Sequence, residues 1–304
     1  MPLVSVVIPA FNAELFLSDA IESVLAQGCG DWGLVVVDDG STDQTPVIAA
    51  EFCQSDPRIR LVSQANGGLS AARNTGAAAT DSNYLLFLDA DDVLLPTALN
   101  DLLDLISASP DAVGAYGLPE RMASDGTVSR CAINDAWGYS RIRIDGWRPG
   151  PMAVDAPTDL AALVVWLCIE TAGQVLIRRA ALDSAGPWTT MPGEDWEMWL
   201  RLARCGEFAF LPRFTLRKRS SPGSLSSNGK WLAGAEPIIR RMLARPPFTK
   251  RQRRTARWGY FWSVGLRYKW ALLDLRRGRI GPASRGVLSA TRSAVRFALL
   301  APTY

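Results

Sequence analysis

Short apolar runs alternate with segments of helical periodicity over the first hundred residues. Nearly continuous apolar runs predict buried strands at residues 4–8, 33–37, 59–62 and 84–88. Apolar side chains spaced three and four apart predict helices at residues 13–27, 43–52 and 69–79. This alternation predicts a parallel sheet covered on both faces, in which ligands bind beyond the carboxyl ends of the strands.

Acidic residues follow two of these predicted strands directly. Asp38 and Asp39 come after residues 35–37, and Asp89, Asp91 and Asp92 come after residues 85–88. Carboxylates so close together repel one another unless a cation or several donors offset their charge. Oxygen ligands of this kind suit Mg²⁺ or Mn²⁺, which also bind the phosphate oxygens of a substrate. An acidic turn that caps the next helix is the plainer interpretation, and it stays open at this point.

The amino-acid composition excludes some kinds of catalysis and favours one cellular compartment. The 304 residues include no histidine, which excludes histidine general bases and serine–histidine–aspartate triads. The five cysteines have no Cys-x-x-Cys spacing, so we interpret them as reduced thiols of a cytosolic protein. The first residues lack a basic segment and are expected to form a strand rather than a signal peptide. No apolar stretch approaches the roughly 20 residues of a membrane-spanning helix.

Charge divides the chain into two parts. Residues 213–304 contain 21 Lys and Arg residues but only two acids, whereas residues 1–212 contain 12 basic and 28 acidic residues. This pattern predicts an acidic body at 1–212 and a basic helical extension at 213–304, with either two different tasks or one catalytic body and one docking surface. Docking of the extension on an anionic membrane surface, at the inner face of the plasma membrane, is one interpretation. Packing against the acidic body is another, and nucleic acid is not expected because no binding module is recognised.

Four segments of the sequence carry a family resemblance. Residues 4–12, 37–43, 66–76 and 88–92 read VSVVIPAFN, VDDGSTD, NGGLSAARNTG and LDADD. Their order and spacing resemble the signature series of family 2 glycosyltransferases, strongly up to about residue 100 and more weakly to about residue 212. The resemblance implies an α/β GT-A fold, with a Rossmann-like nucleotide-sugar half at 1–100 and an acceptor half at 101–212. It also implies sugar transfer with inversion at the anomeric carbon.

The resemblance also assigns a donor site. Carried over by position, its residues are Pro9, Phe11, Asn12, Asp39, Arg73, Asp89 and Asp91. The first three would line the pocket for the base and ribose, and Asp39 would accept a hydrogen bond from the base. Arg73 would lie near the sugar or the diphosphate. Asp89 and Asp91 would hold Mg²⁺ or Mn²⁺ together with the donor sugar.

Inverting transfer also needs a base that removes the proton of the acceptor hydroxyl. Residues 192–202, PGEDWEMWLRL, resemble the Glu-Asp motif of the same family, in which Asp195 is the expected base and Glu194 its substitute. The N-terminus of a helix would keep both acids ionised. A purely structural acidic helix start is compatible with this role. The expected substrates are a nucleotide sugar, with UDP-sugar favoured, and a glycan or lipid-linked acceptor in bacterial surface polysaccharide synthesis.

Two questions stay open from the sequence. The alternative function is a nucleotide-sugar-binding module without turnover, although the intact carboxylates at Asp89, Asp91 and Asp195 favour an enzyme. Aromatic residues between 115 and 170 could stack on sugar rings or pack in the core, and we assign them no role; they are Trp137, Tyr139, Trp147 and Trp166.

Overall fold

The computed structural model describes residues 2–220, except 130–141, 146–147, 154–155, 166–167 and 192, together with residues 238, 272, 276 and 287. Apart from those four single residues, the helices predicted for the basic extension lie outside the described residues, and so do the four unassigned aromatic residues. Within the described part of the chain, no helix is long and apolar enough to cross a membrane.

Eleven strands and seven helices make up the described structure. The strands are β1 (Val4–Ala10), β2 (Trp32–Asp38), β3 (Ile59–Ser63), β4 (Tyr84–Phe87), β5 (Val93–Leu94), β6 (Gly114–Ala123), β7 (Val128–Ser129), β8 (Ile142–Asp145), β9 (Arg148–Pro151), β10 (Val175–Arg178) and β11 (Phe208–Ser220). The helices are α1 (Leu17–Leu25), α2 (Thr45–Ser55), α3 (Leu69–Ala78), α4 (Ala98–Ser107), α5 (Leu160–Val165), α6 (Arg179–Ala185) and α7 (Glu194–Leu202). A short 3₁₀ turn, Ala172–Gln174, precedes β10.

One large sheet organises the molecule, in the order β3-β2-β1-β4-β10-β6-β11-β5. Strands β1 to β4 are parallel, which confirms the prediction for the first hundred residues. Beyond β4 the sheet is mixed, because β10 runs antiparallel to both β4 and β6. The antiparallel direction places the start of β10 beside the carboxyl end of β4, so Thr171 lies next to the acidic segment at 89–92.

Apolar side chains cover both faces of the central strands. On one face Val7, Val35 and Val37 belong to the core that includes Trp199 of α7. On the other face Val6 and Val36 pack with residues of α1 and α4. Burial on both faces explains why these strands read as continuous apolar runs rather than alternating ones.

The packing of α7 fixes the direction in which its acidic start points. Gly193 precedes this helix with a left-handed backbone, φ 81° and ψ 32°, a conformation that glycine adopts without steric cost. Within the helix Trp199 is fully buried and contacts Trp188 and Phe208 edge to face, with ring centroids 5.7 and 6.1 Å apart. These contacts anchor α7 to the sheet and leave Glu194 and Asp195 at the edge where the parallel strands end.

Strand β11 extends past the predicted boundary at residue 212. It pairs with β6 as far as Ser220, so its last eight residues belong to the same sheet as the predicted body. The division of the chain into a catalytic body and a basic extension stays a prediction.

Candidate active site

The acidic segment after β4 forms a tight turn at the carboxyl end of the sheet. The backbone N–H of Asp92 donates to the carbonyl oxygen of Asp89 over 3.0 Å, which closes the turn. Asp89 Oδ2 accepts a hydrogen bond of 3.0 Å from Thr171 Oγ1, and Asp92 Oδ1 accepts one of 3.0 Å from the backbone N–H of Arg219. Donors from β11 and from the turn before β10 therefore hold the acids in place.

Arg73 connects this segment to α7. Its guanidinium is fully buried and donates to Asp89 Oδ1 over 2.8 Å and to Asp195 Oδ1 over 2.6 Å. Glu194 Oε1 lies 3.8 Å from the same guanidinium, which also stacks over the Trp188 ring at 4.5 Å from its centroid. One buried cation thus brings together the acid predicted for the donor site and the acid predicted as the base.

Electrostatics separate the carboxylates of this site. Burial alone raises the pKa of Asp89, but the guanidinium of Arg73 outweighs burial and lowers that pKa below the ordinary value. Burial raises the pKa of Asp195 despite the charge of Arg73, and burial together with the charge of Asp195 raises the pKa of Glu194. The helix start was expected to favour the ionised forms, yet desolvation dominates. A raised pKa suits a group that must accept a proton.

Asp91 is the acid of this turn that is best placed to meet a cation. Burial and the negative charge of Asp89 raise its pKa, and it makes no ion pair within the described part of the chain. Nowhere among the described residues do three acidic or cysteine side chains converge as a complete metal site. The residues nevertheless fit Mg²⁺ or Mn²⁺, since these ions are commonly held by one or two carboxylates with substrate phosphates and water.

The predicted nucleotide pocket lies where β1 and β2 end. Pro9 is buried within β1, while Phe11 is 51% exposed in the loop that follows. Asn12 has a positive φ of 49°, and its side-chain oxygen accepts a hydrogen bond of 2.9 Å from the backbone N–H of Thr42. This bond joins the loop after β1 to the loop after β2 beside the exposed side chain of Phe11.

Asp39 has structural partners of its own. Its Oδ1 accepts hydrogen bonds from Gln64 Nε2 at 2.7 Å and from the backbone N–H of Gly67 at 2.8 Å. Its Oδ2 accepts one from the backbone N–H of Gly68 at 2.8 Å. An ionised carboxylate offers about four acceptor positions, of which these bonds occupy three, and the bond from a nucleotide base stays a prediction.

The structure adds three residues that the sequence did not single out. Thr171 and Arg219 bond to acids of the turn, and Lys218 bonds to the carbonyl oxygen of Glu170 beside Thr171. All three lie 79 residues or more from Asp92 in the sequence. Lys218 and Arg219 belong to a basic stretch beyond residue 212 that the charge pattern assigned to the extension. The pairing of β11 with β6 places Lys218 and Arg219 near the site.

Comparisons with known proteins show which family description and which proteins this chain resembles. The family description "Glycosyl transferase family 2" matches residues 5–153. The chain is 45% identical over 92 residues to the uncharacterized glycosyltransferase EpsJ of Bacillus subtilis, covering 30% of this chain and 27% of that protein. It is 36% identical over 127 residues to the putative teichuronic acid biosynthesis glycosyltransferase TuaG of the same species, covering 41% and 50%. The chain thus matches half or less of the length of these relatives.

Two solved structures share the fold. Staphylococcus aureus TarS 1–349 in complex with UDP-GlcNAc superposes with a TM-score of 0.66 at 17% identity, over 87% of this chain and 73% of the TarS 1–349 chain. The mannosyltransferase PcManGT of Pyrobaculum calidifontis, in complex with GDP-Man and Mn²⁺, gives 0.64 at 16% identity, over 99% and 81%. Both are GT-A proteins, so the expected GT-A fold is confirmed.

Proposed function

Because its N-terminal half places the chain in glycosyltransferase family 2, we propose that it transfers a sugar from a UDP-sugar to a hydroxyl group of a glycan or lipid-linked acceptor. We further propose inversion at the anomeric carbon and a place in bacterial surface polysaccharide synthesis. The name of TuaG, which refers to teichuronic acid, and the UDP-GlcNAc bound to TarS support this choice of substrates.

The observation that carries the proposal is the bridge through Arg73. Asp89 and Asp195 lie 106 residues apart in the sequence, yet both bond to one buried guanidinium at 2.8 and 2.6 Å. A donor-binding acid and an acceptor-activating acid must lie on either side of the same anomeric carbon. Because one guanidinium bonds to both acids, the distance between them suits a pair that acts on one anomeric carbon.

Each group in the proposed reaction has a defined task. Asp195 takes the proton of the acceptor hydroxyl as its oxygen bonds to the anomeric carbon, and the bond to the diphosphate breaks with its electron pair. Phe11 packs against the base, and Asp39 accepts a hydrogen bond from it. Asp91, with Asp89, would hold the divalent cation. When bound, that cation neutralises negative charge on the departing diphosphate.

Separate substitutions test the two kinds of acid. We expect Asp195→Asn to lower turnover by about 10²- to 10⁴-fold, the usual contribution of general base catalysis, with donor binding nearly unchanged. We expect Asp91→Asn to abolish turnover and to weaken the dependence on Mn²⁺. The measurement is nucleoside diphosphate release from a panel of nucleotide sugars with an extract-derived acceptor, together with calorimetric donor binding.

Asp183→Asn is the matched control, because Asp183 is an exposed aspartate on α6, outside the proposed site. It should leave both release and binding as in the unsubstituted protein. If Asp195→Asn weakened donor binding as much as it weakened turnover, the assignment of Asp195 as the base would be wrong. Donor binding without release under any condition would favour the binding module without turnover.

A further inference from the structure

The end of β11 is fastened to the acidic turn through Arg219. Its backbone N–H donates to Asp92 Oδ1 at 3.0 Å, and its Nε donates to the carbonyl oxygen of Asp91 at 2.9 Å. Its guanidinium also pairs with Asp19 Oδ2 at 2.7 Å and stacks over the Phe16 ring at 4.5 Å. Because Arg219 is only 6% exposed, these contacts fix the neighbouring residue, Lys218, at the edge of the site.

The side chain of Lys218 reaches the other side of the same turn. Its Nζ donates to the carbonyl oxygen of Glu170 at 3.1 Å, one residue before Thr171, whose hydroxyl bonds to Asp89. Lys218 is half-buried, and this bond occupies one of its three N–H donors within the described residues. A lysine ammonium with two further donors therefore lies next to Thr171, the residue that contacts Asp89.

The charge of Lys218 acts on the whole cluster. For each of four acids, burial is the largest influence on the pKa and raises it, whereas the positive charge of Lys218 lowers it. These acids are Asp89, Asp91, Asp92 and Asp195. The ammonium of Lys218 therefore offsets part of the negative charge that these acids share.

We propose that Lys218 is a further catalytic residue, whose ammonium group binds the diphosphate of the donor and of the nucleoside diphosphate product. This inference rests on the proposed function. During transfer the bond between the anomeric carbon and the diphosphate oxygen breaks, and its electron pair stays on that oxygen. Lys218, held on β11, stabilises the resulting negative charge.

A purely structural lysine would behave differently. If Lys218 served only as a counter-charge for the acids, its removal would leave an acidic cluster that binds divalent cations more tightly and nucleotides as before. If it contacts the diphosphate, its removal weakens ligands with two phosphates more than ligands with one. Comparing UDP with UMP, without metal and with Mn²⁺, separates these roles.

The experiment is calorimetric titration of the full chain with UDP, UMP and Mn²⁺ alone. We expect Lys218→Gln to weaken UDP binding about ten- to a hundredfold, the usual value of a hydrogen bond to a charged group. UMP binding should change less than about threefold, and Lys218→Arg should retain most of the UDP affinity. Arg213→Gln is the matched control, because Arg213 lies on the same strand, 70% exposed and 3.7 Å from Asp101 at the surface.

Three results would overturn the inference. They are unchanged UDP binding by Lys218→Gln, equal weakening of UDP and UMP, and tighter Mn²⁺ binding with unchanged UDP affinity. If the unsubstituted chain bound neither UDP nor GDP nor dTDP, the proposed function itself would fail, and this inference with it. Thermal unfolding of each variant shows whether the fold is kept, and Lys218→Arg keeps the test valid should Lys218→Gln unfold.

Discussion

Arg73 sets the charge state of the acids around it as well as their positions. Its positive charge opposes the effect of burial on the pKa of Asp195, so its loss should raise that pKa further. A base acts only when deprotonated, and its activity is therefore lost as pH falls through its pKa. We expect Arg73→Met to move the acid limb of the kcat profile to higher pH, measured at saturating donor.

Arg73→Lys is the matched variant, since it keeps the charge but cannot hold two carboxylates in a planar fork. Its acid limb should stay near that of the unsubstituted chain, although kcat falls. Removing one partner of buried ion pairs costs roughly 3–5 kcal/mol, so the unfolding midpoint of Arg73→Met should also drop. An equal loss of kcat at every pH would contradict the effect on Asp195.

At the residue scale, motifs singled out individual acids but not how they are connected. The positions of Asp89 and Asp195 follow from short local signatures. The bridge through Arg73 spans 16 residues to one acid and 122 to the other, and no local pattern encodes such contacts. The structure shows Arg73 fully buried between two carboxylates, while its expected place near the sugar or the diphosphate stays a prediction.

At the level of elements, helix α3, which carries Arg73, packs closely against the sheet. A Cβ atom added at Gly76 would lie 2.2 Å from Val7 Cγ1 and 3.1 Å from Val37 Cγ2. Alanine is favoured over glycine by about 1 kcal/mol inside a helix, but overpacking of this kind costs about 1–3 kcal/mol. We expect Gly76→Ala to lower the urea midpoint of unfolding, because α3 must move away from β1.

Gly30→Ala provides the comparison, since a Cβ there would meet no atom within 4 Å. Its stability should change by less than about 0.5 kcal/mol. Activity gives a second measurement: Arg73 lies on α3, so a shift of this helix should also lower kcat. A Gly76→Ala variant that unfolds at higher urea concentration would show that helix propensity outweighs packing at this position.

Elements were predictable where burial on both faces left an uninterrupted apolar run. The strands β1 to β4 and the helices between them follow the sequence pattern to within a few residues, apart from the late start of α1 at Leu17. The antiparallel direction of β10 and the full length of β11 were not predictable. Both depend on pairing with β6, which is distant in the sequence, and β11 carries four basic residues after Phe210 that mask its strand character.

Charge is distributed unevenly across the whole molecule, and the structure accounts for part of this asymmetry. In β11, Arg217 pairs with the buried Glu120, Arg219 pairs with Asp19, and Lys218 lies beside the acidic turn. These cations belong to the sheet and serve the acids of the body. Residues 221–304 still carry 17 Lys and Arg residues against two acids, so most of the basic excess lies beyond Ser220 in the sequence.

This remaining excess leads to a prediction for the full chain. Each cation near an anionic leaflet contributes about 1 kcal/mol, so a segment with so many should hold the protein on such a surface. We expect the chain to float with phosphatidylglycerol vesicles at physiological salt and not with phosphatidylcholine vesicles. Replacing Arg251, Arg253 and Arg254 with Gln should weaken flotation by about 3 kcal/mol, more than a hundredfold.

The control for this prediction is Arg213→Gln, which removes one exposed charge from the sheet and should float as before. Salt separates the two explanations of the basic segment. Attraction to a leaflet weakens steeply as ionic strength rises, and the vesicle-bound fraction should fall accordingly. If the chain instead failed to float with anionic vesicles at physiological salt, the membrane prediction would be wrong. Packing of the basic segment on the acidic body would then account for the charge pattern, because complementary charges inside one molecule leave little net attraction for a leaflet.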